Sequence, residues 1–424
     1  MASLRRLIPL LASFWAIVSN SLALSECQLE ESPQQRLFLL SDIANEPDDV
    51  QSLVRLLVYA NEFQIEGLVA TTSWWLNDTT RPDQMREIVG GYAECVDNLR
   101  KHASGWPEPE YLLTLVKSGS TKYGMNGVGE NQNSEGSDLL VAAVDKSEEP
   151  LWIPVWGGAN TLAQALWYVN VTRSAEETEK FVAKLRVYSI SDQDNSGPWI
   201  RRNWPDLFYI ASVHDFNRYA NAAWGRISGD DYYHFPSGGN KEVISKSDSG
   251  ITMIGPHVTI WRWRSAFQND FKARMQWTIK SKFEGANHSP VAVVNGSSSR
   301  DVLEYTVKPG ERFILDATAS CDPDADGLSF KWWQYLEPSS NLNTPKRDVV
   351  VLKMDAIDTS RLSVEIPNTE AVRKPGRGVH LFDDKHLHII LEVSDGDIVT
   401  YRRIILTIKG NNALEEKDSG HDEL

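Results

Sequence analysis

The stretch Leu37-Phe38-Leu39-Leu40-Ser41-Asp42-Ile43-Ala44-Asn45-Glu46-Pro47-Asp48-Asp49 decides the fold. Four consecutive apolar residues without alternation are the pattern of a strand buried on both faces, as in a parallel sheet. Val50, Leu53, Val54 and Leu57 then recur at helical spacing. Asp42, Glu46, Asp48 and Asp49 therefore occupy the turn from a strand's carboxyl end into a helix, where open α/β sheets bind their ligands. One acid suffices to cap a helix N-terminus. Four acids in eight residues repel one another unless a cation or a polyol compensates them. Carboxylates with no His or Cys beside them select Ca²⁺ or Mg²⁺ over zinc.

Outward from this turn, short apolar runs continue to alternate with amphipathic stretches. Strands are expected at Gly67–Thr71, Trp152–Val155, Leu185–Ile190 and Leu207–Ile210. Helices are expected through Met85–Leu99, near Thr161–Tyr168 and over Ile260–Ile279. Residues 36–285 thus read as βαβ units in an open, mostly parallel α/β sheet. Residues 288–410 change character. Val291–Val294, Arg312–Leu315, Leu328–Trp333, Val349–Leu352, Leu362–Ile366, Leu387–Val393 and Thr400–Ile408 are β-type runs between Gly, Asp, Pro and Asn turns. They predict an antiparallel, Ig-like β-sandwich. Residues 411–424 are a polar tail, and no internal repeat is visible.

Both ends carry addresses. Residues 1–25 read as a secretory signal peptide, with Arg5 and Arg6 ahead of an apolar run from Leu7 to Val18 and small residues at Ser21–Ala23. The last four residues, His421-Asp422-Glu423-Leu424, match the tetrapeptide read by the ER-retrieval receptor, so the expected location is the ER lumen, with export as the alternative. Asn77, Asn170 and Asn295 head glycosylation sequons, and Asn287 heads one followed by Pro290. No later stretch is long and apolar enough to span a bilayer, so no membrane insertion is expected. Across 424 residues, 43 basic against 58 acidic side chains give a net charge of −15, which argues against a nucleic-acid partner. Cys27, Cys95 and Cys321 allow one disulfide at most.

Further matches accompany the acid turn: Glu66–Ser73, Val155–Leu162, Ser189–Asp194, Ile260–Arg264, Pro290–Gly296 and Cys321–Leu328. Together with Ser41–Asp49 they resemble the cellulose-binding proteins that join a nucleoside-hydrolase-like domain to an Ig-like C-terminal domain. The resemblance runs from about Arg36 to Lys409. It implies an N-glycosyl hydrolase chemistry in which metal-activated water attacks a glycosidic carbon whose developing positive charge nearby anions stabilise. By position, Asp42 and Asp49 would hold Ca²⁺ with the backbone carbonyl of Trp156. Asp48 would accept a sugar hydroxyl, and Asp192, Asp194 and Asn195 would contact the sugar. Two departures stand out: Ala44 replaces the second Asp of the hydrolase loop, with Glu46 as a longer-armed substitute, and Lys241–His257 matches no family segment where a last metal ligand is due. Asp230 and His257 lie near that gap, without supporting spacing.

The alternative is a carbohydrate-binding protein on a hydrolase-derived scaffold. Its ligand would be a glucan, in place of a nucleoside-like small molecule. Tryptophan is unusually frequent, 15 copies against 13 Tyr and 13 Phe, and flat indole faces suit sugar rings. Trp74 and Trp75, after the second strand and beside Asn77, are divided between a stacking platform and core packing, with Asn160 nearby in the Gly157-Gly158 helix start. Trp199 and Trp204 divide the same way. One of Trp261 and Trp263, and one of Trp332 and Trp333, are expected in cores. His386 and His388 are expected on a solvated strand face, and Asp322–Asp326 as an Asx-rich turn. No G-x-S-x-G, P-loop or G-x-G-x-x-G motif sits between a strand and a helix.

Overall fold

The computed structural model describes residues 27, 29–30, 33–44, 46–211, 244–246, 252–254, 263–339, 351–367 and 385–409. Residues 1–25, Asp230, Lys241–His257 as a segment, Trp261 and the 411–424 tail lie outside them. The chain divides into two compact units, Pro33–Ala286 and a second made of Met1–Ser32 with Asn287–Leu424.

The first unit is built on six parallel strands: β1 (Gln35–Ser41), β2 (Phe63–Ala70), β3 (Val116–Ser118), β4 (Leu151–Val155), β5 (Leu185–Ser189) and β6 (Phe208–Ala211). Their order is β3-β2-β1-β4-β5-β6, so the winding direction reverses between β1 and β4. The unbroken apolar run of β1 feeds two cores. Phe38 and Leu40 join Val69, Ile153 and Leu162 on one face, and Leu39 joins Leu53, Leu68 and Val89 on the other. Helix α1 (Pro47–Leu57) follows β1, with proline in its first turn and Arg55 in its last. Its buried residues are Asp49, Leu53 and Leu57, four apart and hence on one face. The two leucines contribute roughly 1.5–3 kcal/mol each, and that gain carries Asp49 inward with them. The N-cap is Glu46, which makes no side-chain cap; neither Asp48 nor Asp49 caps the helix.

Further helices are α2 (Pro82–His102), α3 (Pro109–Leu115), α4 (Glu135–Asp145), α5 (Asn160–Thr172), α6 (Ala175–Ala183) and α7 (Ser196–Asn203), with α8 (Arg264–Trp277) as the closing helix. Strand β3 and helices α3, α4, α6 and α7 exceed the sequence expectations, because their short or half-polar runs carry little periodicity. At the opposite sheet end, Arg36 is sunk into Glu66, donating from Nε at 2.9 Å and from Nη2 at 2.8 Å. Its Nη1 reaches the Glu149 carbonyl at 2.7 Å. Strands β7 (Ile244–Lys246) and β8 (Thr252–Ile254) form an antiparallel pair of their own.

The second unit holds two sheets. One is β10-β13-β12, from Arg312–Asp316, Arg361–Glu365 and Lys353–Ala356; the other is β11-β14-β15-β9, from Ser329–Gln334, Lys385–Ser394, Val399–Ile408 and Leu303–Val307. Five of the seven expected runs coincide with these strands, with three corrections. Of Val349–Leu352, residues 349–350 lie outside the described residues and the strand is Lys353–Ala356 that follows. Val291–Val294 is buried but forms only isolated bridges, Val291 to Cys321 and Val294 to Ser297, because the Asn295-Gly296 turn folds it back at once. Leu303–Val307, unexpected as a strand, pairs parallel with β15; its alternating Leu303, Tyr305 and Val307 face the core. Cys27 and Cys321 form a disulfide, and Cys95 is free. Among the described residues no helix is long and apolar enough to cross a membrane.

Candidate functional site

The carboxyl ends of β1, β2, β4 and β5 converge where the strand order reverses. Backbone bonds fasten the loops to one another there: Thr71 N–H to the Ser41 carbonyl (2.7 Å), Trp156 N–H to Leu40 (2.7 Å), Gly158 N–H to Thr72 (2.8 Å) and Trp74 N–H to Gln193 (2.7 Å). Gly157 and Gly158 permit this closeness. A β-carbon at Gly157 would stand 2.7 Å from the Asp42 nitrogen, and one at Gly158 would stand 2.4 Å from the Thr72 carbonyl oxygen.

Asp42 and Asp49 meet in this crevice, 6% and 8% exposed. They are hydrogen-bonded to each other. The Ser41 hydroxyl donates to Asp49 Oδ2 at 2.7 Å while accepting the Ile43 N–H at 3.1 Å. Desolvation pushes both carboxyls above the ordinary range, Asp49 well above it, with the Asp42 charge adding to the effect. The bond between them lowers Asp42 and raises Asp49. Ser73 bonds to Asp42 and its Oγ also accepts the N–H groups of Trp75 (3.0 Å) and Leu76 (3.1 Å). One hydroxyl thus ties the acid pair to the tryptophan turn.

That turn carries the aromatic feature of the site. Thr71, Thr72 and Ser73 are fully buried, and the next two residues, Trp74 and Trp75, are 64% and 52% exposed. Core packing is therefore not their role. The Trp74 ring meets Tyr123 edge to face, centroids 6.2 Å apart.

The remaining sequence-derived residues divide. Asp48 is half-buried beside the acid pair and its charge raises both neighbours; Glu46 is half-buried at the helix start. Asp192 is engaged by Arg201 at 2.6 and 2.8 Å. Asp194 accepts the Ser196 N–H at 2.8 Å, and burial raises its carboxyl against the opposing bonds from Ser196, Ala159 and Asn160. Asn195 accepts the Met125 N–H at 2.9 Å, and Asn160 donates to Thr72 and to the Lys122 carbonyl, both at 2.9 Å. These four side chains hold loops. Asn77 is exposed, past the tryptophans. Trp199 and Trp204 meet edge to face at 5.2 Å and pack against the first core. Trp332 packs against the sandwich core, and Trp333 donates to Glu392 at 2.6 Å. His388 is buried, against the solvated-face expectation; Arg403 donates to its Nδ1 at 2.9 Å, and burial and that charge hold it down to about 4. Asp322 Oδ1 accepts the N–H groups of Asp324 and Asp326 at 2.8 and 3.1 Å, an Asx turn.

The position expected to hold Ca²⁺ comprises Asp42, Asp49 and the Trp156 carbonyl. The side-chain amide of Gln193 donates to that carbonyl, and the two acids are hydrogen-bonded to each other. Among the described residues, no group of three or more His, Cys, Asp or Glu is placed to hold a metal ion. Ca²⁺ requires six to eight oxygen ligands, so these donors do not fit it. Residues missed by sequence reasoning are Ser41, Ser73, Tyr123 and Gln193. Only Gln193, lodged between two acids of a loop already under suspicion, carried any signal.

Six parallel strands wound in this order, apolar cores on both faces, and buried acids over the reversal point define a nucleoside-hydrolase-like α/β domain with a β-rich domain after it. The family described as "Cellulose-binding Sde182, nucleoside hydrolase-like domain" matches residues 36–272, and that described as "Cellulose-binding protein Sde0182, C-terminal domain" matches residues 312–408. The chain belongs to this cellulose-binding, nucleoside-hydrolase-like family. Among solved structures it is similar to a nucleoside hydrolase-related hypothetical protein from Saccharophagus degradans that is associated with carbohydrate metabolism, at 31% identity and a TM-score of 0.71, covering 89% of this chain and 100% of that one. An endo-fucoidan hydrolase of glycoside hydrolase family 107 aligns at 9% identity and a TM-score of 0.19 over 88% of this chain and 67% of that one. No curated protein matches.

Proposed function

We propose that the chain binds a β-glucan, with Trp74 and Trp75 as the stacking platform and the Asp42–Asp49 pair as acceptor and donor for sugar hydroxyls. The observation that carries this reading is the abrupt emergence of two adjacent indoles from a fully buried segment, Thr71–Ser73, directly beside the acid pair. A sugar ring offers an apolar C–H face to an indole and an equatorial rim of hydroxyls to carboxyls. The cellulose-binding description of the family supports the same ligand class. The N-glycosyl hydrolase reading keeps one support: the Asp49 carboxyl, raised well above the ordinary range by burial and by Asp42 at a strand-end crevice, has the character of a general acid.

Retention on insoluble cellulose tests the proposal. The Trp74→Ala/Trp75→Ala double variant is expected to lose at least about tenfold in affinity, since aromatic contacts of about 0.5–1.5 kcal/mol each are removed along with their apolar area. Unchanged retention would remove the platform from the proposal. Release of reducing sugar in the same incubations, or of free base from an added nucleoside, would move the chain to the catalytic reading.

A further inference from the structure

We propose that Gln193 stands in for a cation, and that the pocket at the β1/β4 reversal works without a divalent metal. An N–H directed at the Trp156 carbonyl engages the one backbone oxygen that the metal would need, and presents the positive end of a dipole there in place of a full charge. Gln193 is buried, so this contact is made away from bulk water. Asp42 and Asp49 bond to each other, to Ser41 and to Ser73, and among the described residues no three His, Cys, Asp or Glu side chains are grouped to hold an ion. Ala44 stands where the hydrolase loop has an acid. It also has φ +81°, a left-handed conformation that Asp and Asn tolerate better than alanine.

The backbone of the same residue serves the platform. The Gln193 carbonyl accepts the Trp74 N–H at 2.7 Å, so one residue closes the former metal position with its side chain and fixes the indole turn with its main chain. Gln193 is in this sense a positioning residue. The inference rests on the binding proposal only for its choice of sugar as ligand; the metal question is measured independently of cellulose.

The experiment is calcium titration of the full chain, by calorimetry and by thermal midpoint in CaCl₂ against EDTA, for the wild type, Asp49→Asn, Gln193→Glu and Gln193→Glu/Asp49→Asn. The readout is the part of any midpoint shift that Asp49→Asn removes. For the wild type that part is expected to be zero. Gln193→Glu places a third carboxylate at the Trp156 carbonyl and is expected to gain a rise of about 5 °C at saturating calcium, lost again in the double variant. A wild-type rise that Asp49→Asn abolishes overturns the inference. So does a natively folded Gln193→Glu chain that gains nothing. Should Gln193→Glu fail to fold, Gln193→Ala, which frees the carbonyl, takes its place and is held to the same gain.

Discussion

Asp49 is turned inward because it shares the phase of Leu53 and Leu57 on α1, and the energetics of its carboxyl follow from that. In the unfolded chain it titrates near 3.9; in the fold, burial and the neighbouring Asp42 push it well above that. Between the two values the folded state binds more protons, so stability is highest below the unfolded value and falls as pH rises through the folded one. Asparagine reproduces the protonated form, with its oxygen accepting from Ser41 and its amide donating to Asp42. Asp49→Asn is therefore expected to raise stability at neutral pH by about 1–3 kcal/mol, the scale of desolvating a buried polar group. The gain should vanish near pH 4 in denaturant melts; a gain that persists there would refute the upward shift of the Asp49 carboxyl. The presence of these acids in a strand-to-helix turn is legible in the sequence. Which of them meet is not, because that depends on helix phase and on Ser73 reaching across from another loop. Gln193 is marked in the sequence only by its place between Asp192 and Asp194; its bond to the Trp156 carbonyl is not legible, since an amide on a carbonyl leaves no charge or spacing pattern.

Among the elements, β1 and β2 are pinned at opposite ends by different chemistry. At their carboxyl ends backbone bonds join the loops to one another; at their amino ends Arg36 and Glu66 form an ion pair that is almost fully buried. Removing one partner of a buried pair strands the other, at a cost of about 3–5 kcal/mol. Glu66→Ala is expected to lower the urea midpoint of the first unit accordingly, whereas Glu176→Ala, in an exposed helix pair with Lys180, should cost under about 0.5 kcal/mol. Comparable losses from both would show that the buried pair is not the anchor. The apolar runs of β1 and of the second half of β2 identify the parallel sheet from sequence because strands buried on both faces are uniformly apolar, whereas β4 and β5 alternate in burial. Strand β9 escapes notice because its outward Glu304 and Thr306 halve its apolar content, and its parallel pairing with β15 joins residues about a hundred apart.

For the whole molecule, the Cys27–Cys321 disulfide suits an oxidising compartment, as do the sequons at Asn77, Asn170 and Asn295, all of them exposed. We propose on these grounds, and from the His421–Leu424 address, that the chain resides in the ER lumen. Expressed through the secretory route, it is expected to carry endoglycosidase H-sensitive glycans and to reach the medium only when residues 421–424 are deleted; equal export of both forms would sink that proposal. The disulfide has a consequence of its own. It joins residues 294 positions apart, so nearly seventy per cent of the polypeptide forms a covalent ring. A single protease cut anywhere within that ring severs the backbone yet releases nothing: the nicked protein migrates as one species until a reductant separates it into two.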